Sequence, residues 1–181
     1  SMGYTTFTHS VNARDFGIPQ NRKRAFLVAF RDDEDARAYA PPQADKCSKP
    51  KTVRDVIESL GEPNNENWHT VRGTTRAYGN RNGSDPDKPS KTIVAGTHGM
   101  GGGVNTLRLA DGSIRYYTIR EAACIQSFPR EYRFADVWST AYKQVGNAVP
   151  PRLGVAFGNS LANALQRKKR RTSVDVAHHD A

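Results

Sequence analysis

The chain has 181 residues, enough for one domain with a core of its own, and its 27 Lys and Arg against 18 Asp and Glu leave a net charge of +9. That surplus favours a polyanion as partner, while two cysteines far apart exclude a disulfide framework or a cysteine-based metal site. No apolar run is long enough to span a bilayer or resembles a secretory signal, so a reducing, cytoplasmic setting is expected. Ser1-Met2 reads as a cloning remnant ahead of a cut inside a longer reading frame, or as a natural subunit start.

Residues 4–11 predict a short strand, and Ala25–Phe30 is a continuous apolar run suited to a strand buried on both faces. Between them, Asn12–Arg24 is a loop punctuated by Gly17 and Pro19. Arg22 and Arg24 alternate with Lys23, so in an extended chain they leave on one face. Two planar guanidinium forks together suit a phosphate or a carbonyl oxygen; a solvated basic turn is the plain alternative. Arg31–Asp35 reads as an acidic solvated turn. Pro41-Pro42 marks a shift to polar, glycine-rich sequence, and an inserted domain is placed from residue 32. Thr52 caps a helix with Val53, Val56, Ile57 and Leu60 on one side and Gly61 as its stop.

Residues 62–106 hold loops and short strands, with His69 and His98 standing alone and no metal-ligand spacing. Lys91–Ala95 predicts a strand. The glycine-rich Gly96–Gly103 then leads into the alternating stretch Val104–Ala110 rather than a helix, which argues against a dinucleotide-binding turn. Asp111-Gly112 turns that stretch back into Ser113–Tyr117. A glycine-rich loop on a β scaffold can lie close to a nucleic-acid backbone and let a few side chains reach base edges.

Thr118 and Glu121 form a capping box for a helix whose Ile119, Ala122, Ala123 and Ile125 face inward. Tyr142–Pro151 reads as a tightly folded loop: Gly146 allows close backbone approach, and Asn147 offers both donor and acceptor. Pro150-Pro151 then launch a helix with the apolar stripe Leu153, Phe157, Leu161, Ala164 and Leu165, which on physics alone is an amphipathic helix packing on a sheet. Gln166–Arg171 is a basic run at its end, and residues 172–181 are expected to be disordered.

Three stretches carry a family resemblance, in one order along the chain. Gly17-Ile18-Pro19-Gln20-Asn21-Arg22-Lys23-Arg24, Thr118-Ile119-Arg120-Glu121-Ala122-Ala123-Cys124-Ile125-Gln126-Ser127-Phe128-Pro129 and Gln144-Val145-Gly146-Asn147-Ala148-Val149-Pro150-Pro151 resemble motifs of the DNA cytosine-5 methyltransferases. The match covers most of this chain but only the back part of that family's chain. The family's Pro-Cys-Gln nucleophile is missing, since Cys47 follows Lys46 and Cys124 follows Ala123. Its Phe-x-Gly-x-Gly loop is missing too, and Glu66-Asn67-Trp68 only imitates its Glu-Asn-Val.

The resemblance implies an α/β fold. It would hold edge strands (1–31) and the last helix (146–166) of a Rossmann-like, S-adenosylmethionine-dependent domain. A smaller, mixed, β-rich target recognition domain (32–117), a hinge helix (118–145) and a basic tail (167–181) would complete the chain. By the same resemblance Arg24 would hold the O2 side of a flipped cytosine, Arg22 would brace that pocket or a phosphate, and Gln20 would support the loop. Thr92-Ile93 matches the recognition domain's Thr-(Leu/Ile/Val) pair, and His98, Arg72, Arg76 and Arg81 are candidate base or phosphate contacts. Asn147, Ala148 and Val149 would form one wall of the methyl-donor site. No metal is implied. The implied partners are duplex DNA and a companion polypeptide carrying the nucleophile, or self-association through exposed core surface. The rival readings are a non-catalytic DNA-binding or regulatory module derived from such an enzyme, and part of an RNA cytosine methyltransferase.

Overall fold

Alternating polar and apolar side chains fold Thr5–Asn12 into strand β1, which pairs antiparallel over its whole length with β2, Lys23–Phe30. The computed structural model describes residues 3–45, 49–77, 82–95 and 105–177, with side chains as far as Gln166. In the β1–β2 register Phe7 lies opposite Val28 and His9 opposite Phe26, so these side chains share one face. Helix α5, Pro151–Ala177, covers that face. The Phe157 ring stacks on Phe26 at 4.0 Å, and Leu153 and Ala164 bury beside it.

The opposite face corrects one expectation. Ala25, Leu27 and Ala29 point away from α5 and are exposed, Leu27 by 70%, so β2 is buried on one face rather than two. Residues 33–38 also differ from the expected turn. Asp32 accepts from the amides of Glu34 and Asp35 and caps helix α1, Asp33–Ala38. Ala36 and Tyr39 join the core of β1, β2 and α5, so this unit extends past the boundary drawn at residue 32.

A second core gathers around helix α3, Ile119–Ile125. Helix α2, Val53–Leu60, forms where its Thr52 cap and Gly61 stop foretold, with Asp55 completing a capping box, and leans Val56 and Ile57 on this core. Strands β3 (Thr74–Thr75), β4 (Thr106–Arg108) and β5 (Ile114–Tyr116) make an antiparallel sheet in the order β3-β5-β4. The α3 capping box is present as expected, but Glu121 does more than cap. Fully buried, it takes both arms of the Arg115 guanidinium at 2.6 and 2.7 Å.

Two further expectations change. Lys91–Ala95 joins no regular strand; side chains bond its backbone instead, as described below. Most of the expected Tyr142–Pro151 loop is helix: α4 runs Trp138–Asn147, only 148–150 intervene, and Pro151 opens α5 at the position where proline loses no needed bond. Helix α5 continues to Ala177, beyond the expected stop at Gln166.

Removing the Glu121 carboxylate strands the Arg115 charge in the core, so Glu121→Ala is expected to destabilise the fold by about 3–5 kcal/mol, read as a lowered urea midpoint. A Cβ on Gly146 would lie 2.5 Å from the Ala95 Cα. Gly146→Ala is therefore expected to cost about 1–3 kcal/mol and to separate α4 from the 94–95 backbone, measurable as faster amide exchange there.

Candidate functional site

The loop between β1 and β2 meets the segment before the glycine-rich stretch along a short parallel seam. Ser90 donates its amide to Pro19 O at 2.9 Å, and Asn21 donates back to Ser90 O at 2.8 Å. Side chains continue the seam where the ladder ends. Thr92 Oγ1 donates to Asn21 O at 2.6 Å, and the Ile93 amide donates to Gln20 Oε1 at 2.9 Å. Asn105 then bonds both the amide and the carbonyl of Val94, at 3.0 and 2.8 Å.

Behind the seam lies a buried polar junction. Gln20 and Gln126 are fully buried, and Gln20 Nε2 donates to Gln126 Oε1 at 3.1 Å. Gln126 in turn donates to Val145 O, so a chain of amides runs from Ile93 to the end of α4. Beside it the Arg22 guanidinium donates to Ile93 O at 2.7 Å, to Gly146 O at 2.8 Å and to Ala148 O at 3.1 Å. Arg22 is only 2% exposed, and among the described residues it has no carboxylate within ion-pairing distance and its Nε has no partner. Burial, and then the nearby Arg24 charge, push its pKa down to about 10, so it stays protonated at neutral pH.

Arg24 goes the other way. Exposed on β2, it shares a cleft of about 560 Å³ with Asn12, Arg14, Asn21, Lys23 and Thr92. The floor is knit by amides: Arg14 donates to Asn21 Oδ1 at 3.4 Å, and the Arg22 amide donates to Asn12 Oδ1 at 2.9 Å. Among the described residues three cations and no carboxylate line this cleft, Arg14 also pairing with Asp15 at 3.3 Å, so its chemistry suits an anionic ligand such as a phosphodiester.

Arg22 and Arg24 therefore do not leave on one face, because Arg22 turns inward to satisfy carbonyls that no ladder reaches. Ile93 is fully buried in the second core, so of the Thr92-Ile93 pair only Thr92 reaches the cleft. Gln20 holds the loop rather than facing solvent. Arg72 is exposed and sits 6.0 Å from the Trp138 ring centroid, outside the cleft, and Arg76 is exposed just past β3. Arg81, His98 and the Gly96–Gly103 loop lie outside the described residues. His69 is buried, bonded to Thr118 Oγ1 and Gly61 O, which makes it part of the scaffold.

Beyond Gly146, Asn147 and Val149 are exposed, Val149 by 53%, and Ala148 is partly so. Among the described residues the Asn147 amide has no partner, and no group of metal-ligating side chains forms. Glu66-Asn67-Trp68 is an exposed-to-half-buried turn with positive φ at Asn67 and Trp68, unlike a strand end. Sequence reasoning missed Asn12, Arg14, Asn21 and Lys23 as cleft residues, although all lie within the Asn12–Arg24 loop it had singled out. It also gave no part to Gln126, or to Asn105 beyond the loop.

Comparison with known proteins agrees with the motifs. The family model described as C-5 cytosine-specific DNA methylase matches residues 1–83 and 64–163. Among curated relatives, the type II methyltransferase M.AplI of Arthrospira platensis is 28% identical over 94% of this chain and 51% of its own length. The type II methylase M.HgiDII of Herpetosiphon aurantiacus is 30% identical over 97% and 60%, and M.MthTI of Methanothermobacter thermautotrophicus 31% over 91% and 58%. Among solved structures, the S. pombe Dnmt2 methyltransferase aligns with a TM-score of 0.65 at 19% identity, covering 91% of this chain and 59% of that one. The chain thus spans between half and three-fifths of the length of these relatives, and it belongs to the C-5 cytosine-specific DNA methylase family.

Proposed function

We propose that this chain is the DNA-recognition and cofactor-closing part of a DNA cytosine-5 methyltransferase, and that a companion polypeptide carries the Pro-Cys-Gln nucleophile. The observation that carries this reading is the cation-lined cleft of Arg14, Lys23, Arg24 and Thr92, held by a seam to the loop of Asn147–Val149. Residues 1–39 and 146–166 hold the edge strands and last helix of a Rossmann-like domain, with α1 packed on them, and the segment 40–117 is the target recognition domain. The bare outer face of β2, with Leu27, and the exposed Val155 of α5 are the surface the companion covers. An antiparallel pair can leave one face to water, but that face is then polar, whereas β2 turns Ala25, Leu27 and Ala29 outward.

The methylated base must leave the duplex, since a stacked cytosine is out of reach of the chemistry. In this reading Arg24 donates to the base or its flanking phosphate, Thr92 abuts the same strand, and Arg14 and Lys23 hold the backbone. Asn147 and Val149 fit an edge of the methyl-donor site: a free amide beside an apolar side chain suits a nucleoside with a hydrocarbon arm. S-adenosylmethionine supplies the methyl group when bound there. Cys124, half-buried on α3 with its thiol pushed up by burial, is a poor nucleophile, so the chain alone is inactive.

A second reading is favoured by one fact: the cleft is complete within this chain. A DNA-binding or regulatory module derived from such an enzyme would need nothing more.

The deciding measurement is methyl transfer to duplex DNA after mixing with a companion chain that carries Pro-Cys-Gln. Restored activity that Arg24→Ala abolishes supports the split enzyme; full-strength DNA binding with no activity from any companion supports the binding module. In the binding assay, Arg24→Ala is expected to flatten the log–log salt slope by about 0.9, one phosphate's worth. The isolated chain is expected to self-associate through its bare face in sedimentation runs, and Leu27→Lys with Val155→Lys to return it to monomer.

A further inference from the structure

Arg22 is a buried cation with no ion pair among the described residues, bonded on both arms to main-chain carbonyls from segments distant in sequence. One arm holds Ile93 O, the residue after Thr92, and the other holds Gly146 O and Ala148 O. We propose that Arg22 is a positioning residue that couples anion binding in the Arg24 cleft to the placement of the Gly146–Val149 loop. This inference rests on the reading above, in which the cleft takes DNA phosphate and the loop borders the methyl donor.

The coupling has a physical direction. A guanidinium is a rigid plane with fixed donor directions, so a shift of Ile93 O must be followed by a shift of Gly146 and Ala148 or by a lost bond. Arg24 lies close enough to destabilise the Arg22 charge, and among the described residues no ion pair offsets it. An anion seated beside Arg24 screens that repulsion and so favours the charged guanidinium in its enclosed place against the three carbonyls. Thr92, on the cleft wall, is tied to the same loop through Asn21 O. The amide chain from Ile93 through Gln20 and Gln126 to Val145 O lies parallel to the guanidinium, so the seam closes as a unit. Linkage then makes the effect reciprocal: whatever orders the loop tightens the cleft.

Hydrogen exchange read by mass spectrometry on the whole chain tests this, with a pool of 30-base-pair duplexes of random sequence as probe. In the wild type, the duplex is expected to slow exchange at 19–24 and 90–93, in the cleft, and also at 144–149, by at least about fivefold, the lower end of usual allosteric coupling. Arg22→Lys keeps the charge but gathers its three donors on one nitrogen, which cannot span both sets of carbonyls. It is expected to retain the slowing in the cleft and lose it at 144–149. Equal remote slowing in Arg22→Lys, or none in the wild type while the cleft is protected, overturns the proposal. Arg24→Gln guards against a variant that fails to fold, because it leaves every carbonyl bond of Arg22 in place. At saturating duplex its 90–93 segment should still be protected while slowing at 144–149 falls; undiminished remote slowing overturns the coupling through Arg24. If no segment of the cleft is protected, the nucleic-acid reading falls, and this inference with it.

Discussion

One guanidinium holds the molecule's two halves at their meeting point. Arg22 is almost wholly enclosed, and the carbonyls of Ile93, Gly146 and Ala148 are its partners. Each of those carbonyls belongs to backbone that no regular ladder serves, and each would be costly to bury unbonded. The cation in turn would be costly to bury without acceptors, so the parts of the junction depend on one another. Remove the arginine and three segments lose their bond at once. The rest of the architecture follows from where those segments come from: the β1–β2 loop, the stretch before residue 96, and the turn from α4 into α5.

Around that point stand two cores of different completeness. The second, built on α3 and the β3-β5-β4 sheet, is closed, and its buried Arg115–Glu121 pair is satisfied on both sides. The first is one-sided: α5 covers one face of β1 and β2, and Leu27 and its neighbours face outward. Two strands are few for a stable sheet, and an apolar strand face without cover is a familiar mark of a missing neighbour. The chain covers 51% and 60% of the length of M.AplI and M.HgiDII.

Much of this was legible in the residues. Thr52 with Gly61, and Thr118 with Glu121, announce their helices because capping chemistry is local and carries its own signature. Strands β1 and β2 follow from residues 4–11 and the apolar run Ala25–Phe30, and the β4–β5 hairpin from alternation and a turn at Asp111-Gly112. What stayed hidden depends on distance along the chain. No local pattern tells that Arg22 turns inward while Arg24 turns out, since the carbonyls that draw it lie up to 126 positions away. Lys91–Ala95 has the composition of a strand, yet Gln20, Arg22 and Asn105 take the bonds a ladder would have made. Helix α1 escaped notice because its acidic run reads as solvated, whereas Asp32 uses that same character to start a turn of helix.

The grip on residues 93–95 consists of main-chain atoms. Gln20 and Arg22 bond the amide and carbonyl of Ile93, Asn105 those of Val94, and Gly146 lies against the backbone of Val94 and Ala95. A joint of that kind is blind to the identity of the exposed side chain at 94. A substitution at position 94 can therefore change what that side chain presents while the joint that carries it keeps its shape.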